Sequence, residues 1–207
     1  VDLRRFAREE RADFADFLDT LRPQQWAEPT LCTGWTVRDV VAHVVSYDEI
    51  GARGLVRRFA RGKLSLDRAN ALGHEEYRAR PPEDLVAVLR RNPQPRGLTA
   101  AFGGMIGFLD GLIHQQDIRR PLGLPRTIPP ERLYAALRVL LFAIPVGAAR
   151  RLPGLRAVAT DLDWSAGRGA EVRGPAEAVL LALAGRRAAT TDLAGPGLEL
   201  LVSRTRD

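Results

Sequence analysis

Apolar residues recur at helical spacing along the first three quarters of the chain. Leu3, Phe6 and Ala7, then Phe14, Phe17, Leu18 and Leu21, predict a first helix over residues 3–21 that Pro23 stops. The stretch QQWAEPTLCTGW, broken by Pro29 and Gly34, reads as a loop. A second helix is expected from TVRD to about residue 60, with Thr36 as its cap and Asp39 three residues on, the spacing of a capping box. Residues 67–79 and 82–91 predict two more helices, the latter with Pro82 in its first turn. RNPQPRG reads as a loop. Residues 99–120 predict a long helix ended by Pro121 and Gly123, and another runs from residue 129 to about 151 with a kink at Pro145.

Beyond Pro153 the pattern changes. LRAVATDLDW alternates in part, SAGRG reads as a turn and AEVRG as a short strand. GPAEAVLLALAG is a helix between a proline start and a glycine stop, and PGLELLVSR is a final short helix. The pattern therefore divides the chain into a helical bundle over residues 1–152 and a small α+β unit over residues 153–207, with no internal repeat.

Composition narrows the function. The 207 residues are 45% hydrophobic and 27% charged, an ordinary balance for a soluble globular protein. No segment approaches the roughly 18 apolar residues of a membrane span. VDLRRFAREERADF holds no apolar run of signal-peptide length, and the single cysteine, Cys32, excludes an internal disulfide. These features point to a cytoplasmic protein. A formal charge of +6 would admit nucleic acid, but Lys63 is the only lysine and the arginines alternate with acids, as in RRFAREERADF. That is a solvated arginine-rich surface rather than a basic patch, and it argues against a nucleic-acid partner.

The candidate chemistry sits on the 99–120 helix. Its stripe of Phe102, Met105, Ile106, Leu109, Leu112 and Ile113 faces the core, and Asp110, His114 and Asp117, at i, i+4, i+7, stand beside that stripe. Gly103 and Gly107 continue the column. A mid-helix glycine costs about 1 kcal/mol relative to alanine, which makes sense where a helix or a ligand must approach the backbone. An aspartate and a histidine at i, i+4 can reach one ion, as the paired histidines of HExxH do. Two donors hold a metal poorly, so a third must come from elsewhere. His43 lies in the column Thr36, Val40, His43, Tyr47 and Ile50, at least half apolar, and so points at the bundle interior. The competing reading is a core histidine with one satisfied hydrogen bond and an Asp–His pair without metal.

The remaining polar and aromatic residues carry weaker signals. His74, in LGHEEYRAR, is expected to be exposed. Asp117 either orients an imidazole or pairs with Arg119 or Arg120 at the helix end. Tyr47 either donates a hydrogen bond in a pocket or packs as a core tyrosine. Cys32 has no nearby partner in the sequence, so it does not read as a nucleophile but as a small half-buried loop residue, while Trp26 and Trp35 read as seals of the bundle end. The pairs Arg119–Arg120 and Arg186–Arg187 could meet an anionic substrate or a cofactor carboxylate, but in so arginine-rich a chain they read as solvated arginines.

GWTVRDVVAHV followed much later by DGLIHQQDIRRPLG resembles the mycothiol-dependent maleylpyruvate isomerase family, within the DinB-like set of metal-binding bundles. That family carries G-W-[ST]-V-x-D-[VL]-x-x-H on its second helix and acid-x-x-x-H-x-x-D-I-x-R on its last bundle helix. VRGPAEAVLLALAGR and DLAGPGLELL are similar to the small domain many members carry, so the likeness spans nearly the whole chain. The resemblance implies a mainly α fold, a DinB-like four-helix bundle with a small C-terminal α+β domain. Its metal ligands fall on His43, Asp110 and His114. The isomerase of that family uses glutamate where this chain has Asp110, and the shorter aspartate requires a closer helix, which Gly107 and Gly111 permit.

The resemblance further implies a divalent metal, zinc first, with nickel, iron or manganese compatible, and mycothiol as cosubstrate. The implied activity is a transferase or isomerase that acts on a small electrophile through a metal-activated thiolate, with Asp117 and Tyr47 as further catalytic candidates. The family's reactions are varied, and maleylpyruvate itself is not the expected substrate. The implied partners are a small-molecule substrate and a low-molecular-weight thiol, without membrane; a homodimer is compatible. The alternative is a non-catalytic member of the same fold that binds a small ligand or a protein.

Overall fold

A computed structural model describes residues 2–205, which divide into two compact units, 2–125 and 126–205. The first unit is helical. It holds α1 (Leu3–Asp19), α2 (Val37–Val45), α3 (Ala52–Arg61), α4 (Leu66–Tyr77), α5 (Pro82–Arg91) and α6 (Met105–Arg119). Helix α1 packs on α5 and α6, and α2 packs on the same two helices, which makes α1, α2, α5 and α6 the four members of the bundle. Helix α4 packs on α2 and α3. The apolar stripes read from the sequence meet in one core, where Phe14, Leu18, Val40, Val41, Leu85 and Ile118 are buried together. Each such side chain stabilises the fold by about 1.5–3 kcal/mol.

Two expected helices are broken. The segment from residue 36 to 60 separates into α2 and α3, because Ser46, Tyr47 and Asp48 turn inward and Asp48 forms a buried ion pair with Arg11 of α1. The segment from residue 99 to 120 is regular only from Met105 onward. Phe102, Gly103 and Gly104 take φ values of +52°, +69° and +91°, the left-handed region that two adjacent glycines make accessible. Phe102 is consequently 76% exposed and not part of the core stripe. Gly103 lies outside the helix with open space at its Cβ position, so it does not extend the column. Gly107 does mark a close approach: a Cβ there would sit 2.7 Å from Pro95 Cγ.

The second unit contains α7 (Pro130–Leu140), β1 (Gly154–Ala159), β2 (Ser165–Gly167), β3 (Gly169–Gly174), α8 (Ala176–Leu183) and α9 (Leu198–Val202). Its sheet has the order β2-β1-β3, with β2 antiparallel and β3 parallel to β1. Leu155 and Ala157 are buried while Arg156 between them is exposed, the alternation of a strand with one covered face. Residues 165–167, expected as a turn, form the edge strand. The change of texture expected near residue 152 falls inside this unit, because α7 packs on α8 through a face that buries Leu133, Ala136, Leu137 and Leu140. The helix expected to reach residue 151 stops at Leu140. No helix among the described residues is long and apolar enough to cross a membrane.

Candidate metal centre

Local chemistry sets the phase of α2. Thr36 Oγ1 accepts from Asp39 N at 3.3 Å, and Asp39 Oδ2 accepts from Thr36 N at 2.9 Å, the reciprocal capping box read from the sequence. Two turns later α2 presents His43 to α6. His43 Nε2 lies 3.6 Å from Asp110 Oδ1, and His114 Nε2 lies 3.5 Å from the same oxygen. The two imidazoles meet edge-on with centroids 5.1 Å apart. One turn of α6 brings Asp110 and His114 together, and the helix packing brings His43 to them.

These separations exceed the usual 2.9 Å of an N–H···O bond. They match the roughly 3.3–3.4 Å edge of a tetrahedron drawn about an ion with bonds near 2.0–2.1 Å. Two neutral imidazoles and a carboxylate also suit a borderline divalent cation. The donor set therefore fits a metal ion. Gly111 is not needed for the approach of α1, since a Cβ at that position would meet Glu10 Cγ at 3.4 Å, an ordinary contact.

The electrostatics describe the same cluster. Burial opposes ionisation of Asp110, but the neighbouring imidazoles of His114 and His43 prevail and hold its carboxyl well below the usual range. Burial likewise lowers His114, yet Asp110 and Asp117 outweigh it and raise the imidazole well above its ordinary value. Asp117, fully buried, accepts from His114 Nδ1 at 2.9 Å. That bond directs the opposite ring nitrogen, Nε2, at Asp110.

Other residues fall differently from expectation. His74 is half-buried rather than exposed: its ring stacks on Trp35 at 4.8 Å and 7°, and its Nε2 lies 2.9 Å from Asp39 Oδ1. Trp35 also approaches His43, with centroids 5.3 Å apart, so it is a wall of the site as well as part of the bundle end. Trp26 is buried against the core as a seal. The Tyr47 hydroxyl donates to Asn70 Oδ1 at 2.7 Å, and the ring is buried under Arg58. Arg119 is not simply solvated, for its guanidinium lies 3.7 Å from the Phe17 ring centroid and it donates to Gln115 Oε1 at 2.9 Å. Cys32 has partners that its local sequence does not announce: Sγ lies 3.2 Å from Asp117 Oδ2 and 3.7 Å from His114 Nδ1. The first unit also opens a cleft of about 760 Å³, lined by Ile50, Leu55, Arg91 and Arg96 among others and by none of the three column residues.

Known proteins bear on this arrangement. Residues 7–97 match the family model of the mycothiol maleylpyruvate isomerase N-terminal domain. The match includes His43 and ends before α6. The fold resembles the crystal structure of the mycothiol-dependent maleylpyruvate isomerase, with a TM-score of 0.62 and 17% identity over 94% of this chain and 91% of that one. A histidine-to-alanine mutant of that isomerase gives the same TM-score of 0.62 and coverage at 16% identity. No curated relative matches the chain. The family resemblance read from the two motifs is thereby borne out: residues 7–97 match that family's N-terminal domain, and the fold is similar to that of the solved isomerase.

Proposed function

We propose that this protein is a metal- and mycothiol-dependent transferase or isomerase that acts on a small electrophile. The observation that carries the reading is the convergence of His43, Asp110 and His114 at 3.5–3.6 Å around one carboxylate oxygen. Their separations suit a shared cation better than hydrogen bonds. His43 and His114 supply Nε2 donors and Asp110 supplies an oxygen, a set that leaves at least one position open. A divalent ion held there favours the thiolate of a bound low-molecular-weight thiol, whose free pKa is near 8.5. Zinc suits these donors best, with nickel, iron and manganese as alternatives.

The chain's own groups position and shield that chemistry. Asp117 keeps the His114 proton on Nδ1 and the Nε2 lone pair on the site. Trp35, backed by His74, closes the side next to His43 and limits water there. Tyr47 has its hydroxyl proton directed at Asn70, so it offers a lone pair before it offers a proton. A cytoplasmic location suits both a cysteine outside any disulfide and a thiol cosubstrate.

The experiment is elemental analysis of protein purified without an affinity tag or chelator, with His43→Ala and His114→Ala alongside. About one divalent ion per chain, lost in both variants, is expected for a three-ligand site. A wild-type protein that takes up no zinc or nickel would overturn the reading. The column would then be a hydrogen-bonded core, and a non-catalytic small-ligand or protein-binding role would take its place.

A further inference from the structure

Cys32 is the only cysteine of the chain, and the proposed function gives its side chain no task. The loop that carries it is held at several points. Thr30 N donates to Trp35 O at 3.0 Å and Trp35 N to Cys32 O at 2.9 Å. Cys32 N donates to Thr30 Oγ1 at 3.1 Å. Leu31 N donates to the backbone oxygen of Asp117 at 3.0 Å, which ties the loop to α6 itself. The thiol is thus fixed in place over the His114–Asp117 pair.

Three different donor atoms result in one small triangle. Sγ is 3.2 Å from Asp117 Oδ2 and 3.7 Å from His114 Nδ1, and those two atoms are 2.9 Å apart. A tetrahedral ion with bonds of about 2.0 Å to N and O and about 2.3 Å to S separates its ligands by roughly 3.3–3.6 Å. The triangle needs to open by only a few tenths of an ångström. Asp117 is fully buried, while Cys32 and His114 are half-buried. His114 therefore stands between two donor sets, with Nε2 facing Asp110 and Nδ1 facing Cys32 and Asp117.

We infer that Cys32, Asp117 and His114 Nδ1 form a second cation site, back to back with the first and selective for thiophilic divalent ions such as cadmium and zinc. Its sulfur makes it the softer of the two sites. Binding requires the Cys32 thiol proton and the proton shared by His114 Nδ1 and Asp117 to leave for solvent, with no change of oxidation state. An ion there also removes the hydrogen bond that aims Nε2 at the first site, so the second site is inhibitory. The inhibitory consequence rests on the proposed ligand role of His43, Asp110 and His114, whereas binding at the Cys32 triangle does not.

Cadmium titration of the full-length chain tests this through the ultraviolet charge-transfer absorption of a cadmium–thiolate bond. With one cysteine in the chain, any such band reports Cys32. The band is expected to saturate at one sulfur-bound cadmium per chain in the wild type and in His43→Ala alike. Asp117→Asn and His114→Ala should each weaken it by about 10–100-fold. Asp117→Asn keeps the shape of a buried side chain, and His114→Ala serves as the second variant if the first fails to fold. No band in the wild type, or equal affinity in the wild type and both variants, overturns the site. In the zinc-loaded wild type, growth of the band should release the zinc of the first site. Zinc retained beside a full band overturns the inhibitory role. His43→Ala separates the two readings: loss of the purified ion with a retained cadmium band supports both, and a retained ion defeats the proposed function alone.

Discussion

The two units of the chain bury very different side chains. The helical unit places Glu10, Arg11, Asp39, Asp48, Arg58 and Asp117 in its interior, whereas the buried side chains of the α+β unit are alanine, leucine and valine for the most part, with Arg132 as its one buried charge among the described residues. Burying a charge is costly unless it is paired. The second unit therefore looks like chain selected for packing. The first accepts unfavourable desolvation, and two of these groups, Asp39 and Asp117, lie on α2 and α6, the helices that carry His43, Asp110 and His114. Asp48 illustrates the cost. Burial outweighs the attraction of Arg11 and pushes its carboxyl up to about 6. A region that tolerates such groups is where chemistry should be sought.

The contrast can be broken or sharpened by experiment. The largest expected effect is on packing in the α+β unit. Leu180 is fully buried, and Leu180→Ala should destabilise the protein by about 2–5 kcal/mol in denaturant unfolding. It should leave the ion content of the folded protein unchanged, and a variant that loses its ion would erase the distinction between the two units. A smaller effect is expected from Asp117→Asn, which keeps the shape but weakens the acceptor of the His114 proton. Zinc affinity should fall by about 10–100-fold, measured by competition with a chromophoric chelator.

The smallest effect is a pH dependence with two signs. Protons compete with the ion for His114, whose imidazole is raised well above its ordinary range, so zinc retention should improve steadily as pH rises. In the ion-free protein the same group acts oppositely. A histidine raised in the folded state contributes stability that is complete below its ordinary pKa of about 6.5 and disappears as pH rises through the raised value. Melting curves of ion-free and zinc-loaded protein across neutral pH should therefore diverge. Parallel curves would mean that His114 does not hold the ion.

Much of the fold was legible because its signals are local. The capping box Thr36/Asp39, the helix Pro82–Arg91 and the helix Ala176–Leu183 are written in neighbouring residues, and the structure has them where the pattern put them. The two helix breaks were not legible. Both follow from contacts made by other parts of the chain: Asp48 turns toward Arg11 of α1, and Pro95 presses on Gly107 while the Phe102–Gly104 turn leads into α6. An apolar residue such as Phe102 continues a helical pattern on paper even when its backbone has left the helix.

The site divides in the same way. By itself the sequence determined the i, i+4, i+7 column of Asp110, His114 and Asp117, because helical pitch alone puts those groups on one side. It also singled out His43, through the polar position in an otherwise half-apolar column. Only the tertiary structure decided that Trp35 lies between His43 and His74, and that Cys32 faces the second nitrogen of His114. Cys32 and His114 are 82 positions apart along the chain, and Trp35 joins two histidines that lie on different helices. Periodicity describes one element at a time. Which faces of two elements meet is set by packing in three dimensions, and the second donor set around His114 exists only there.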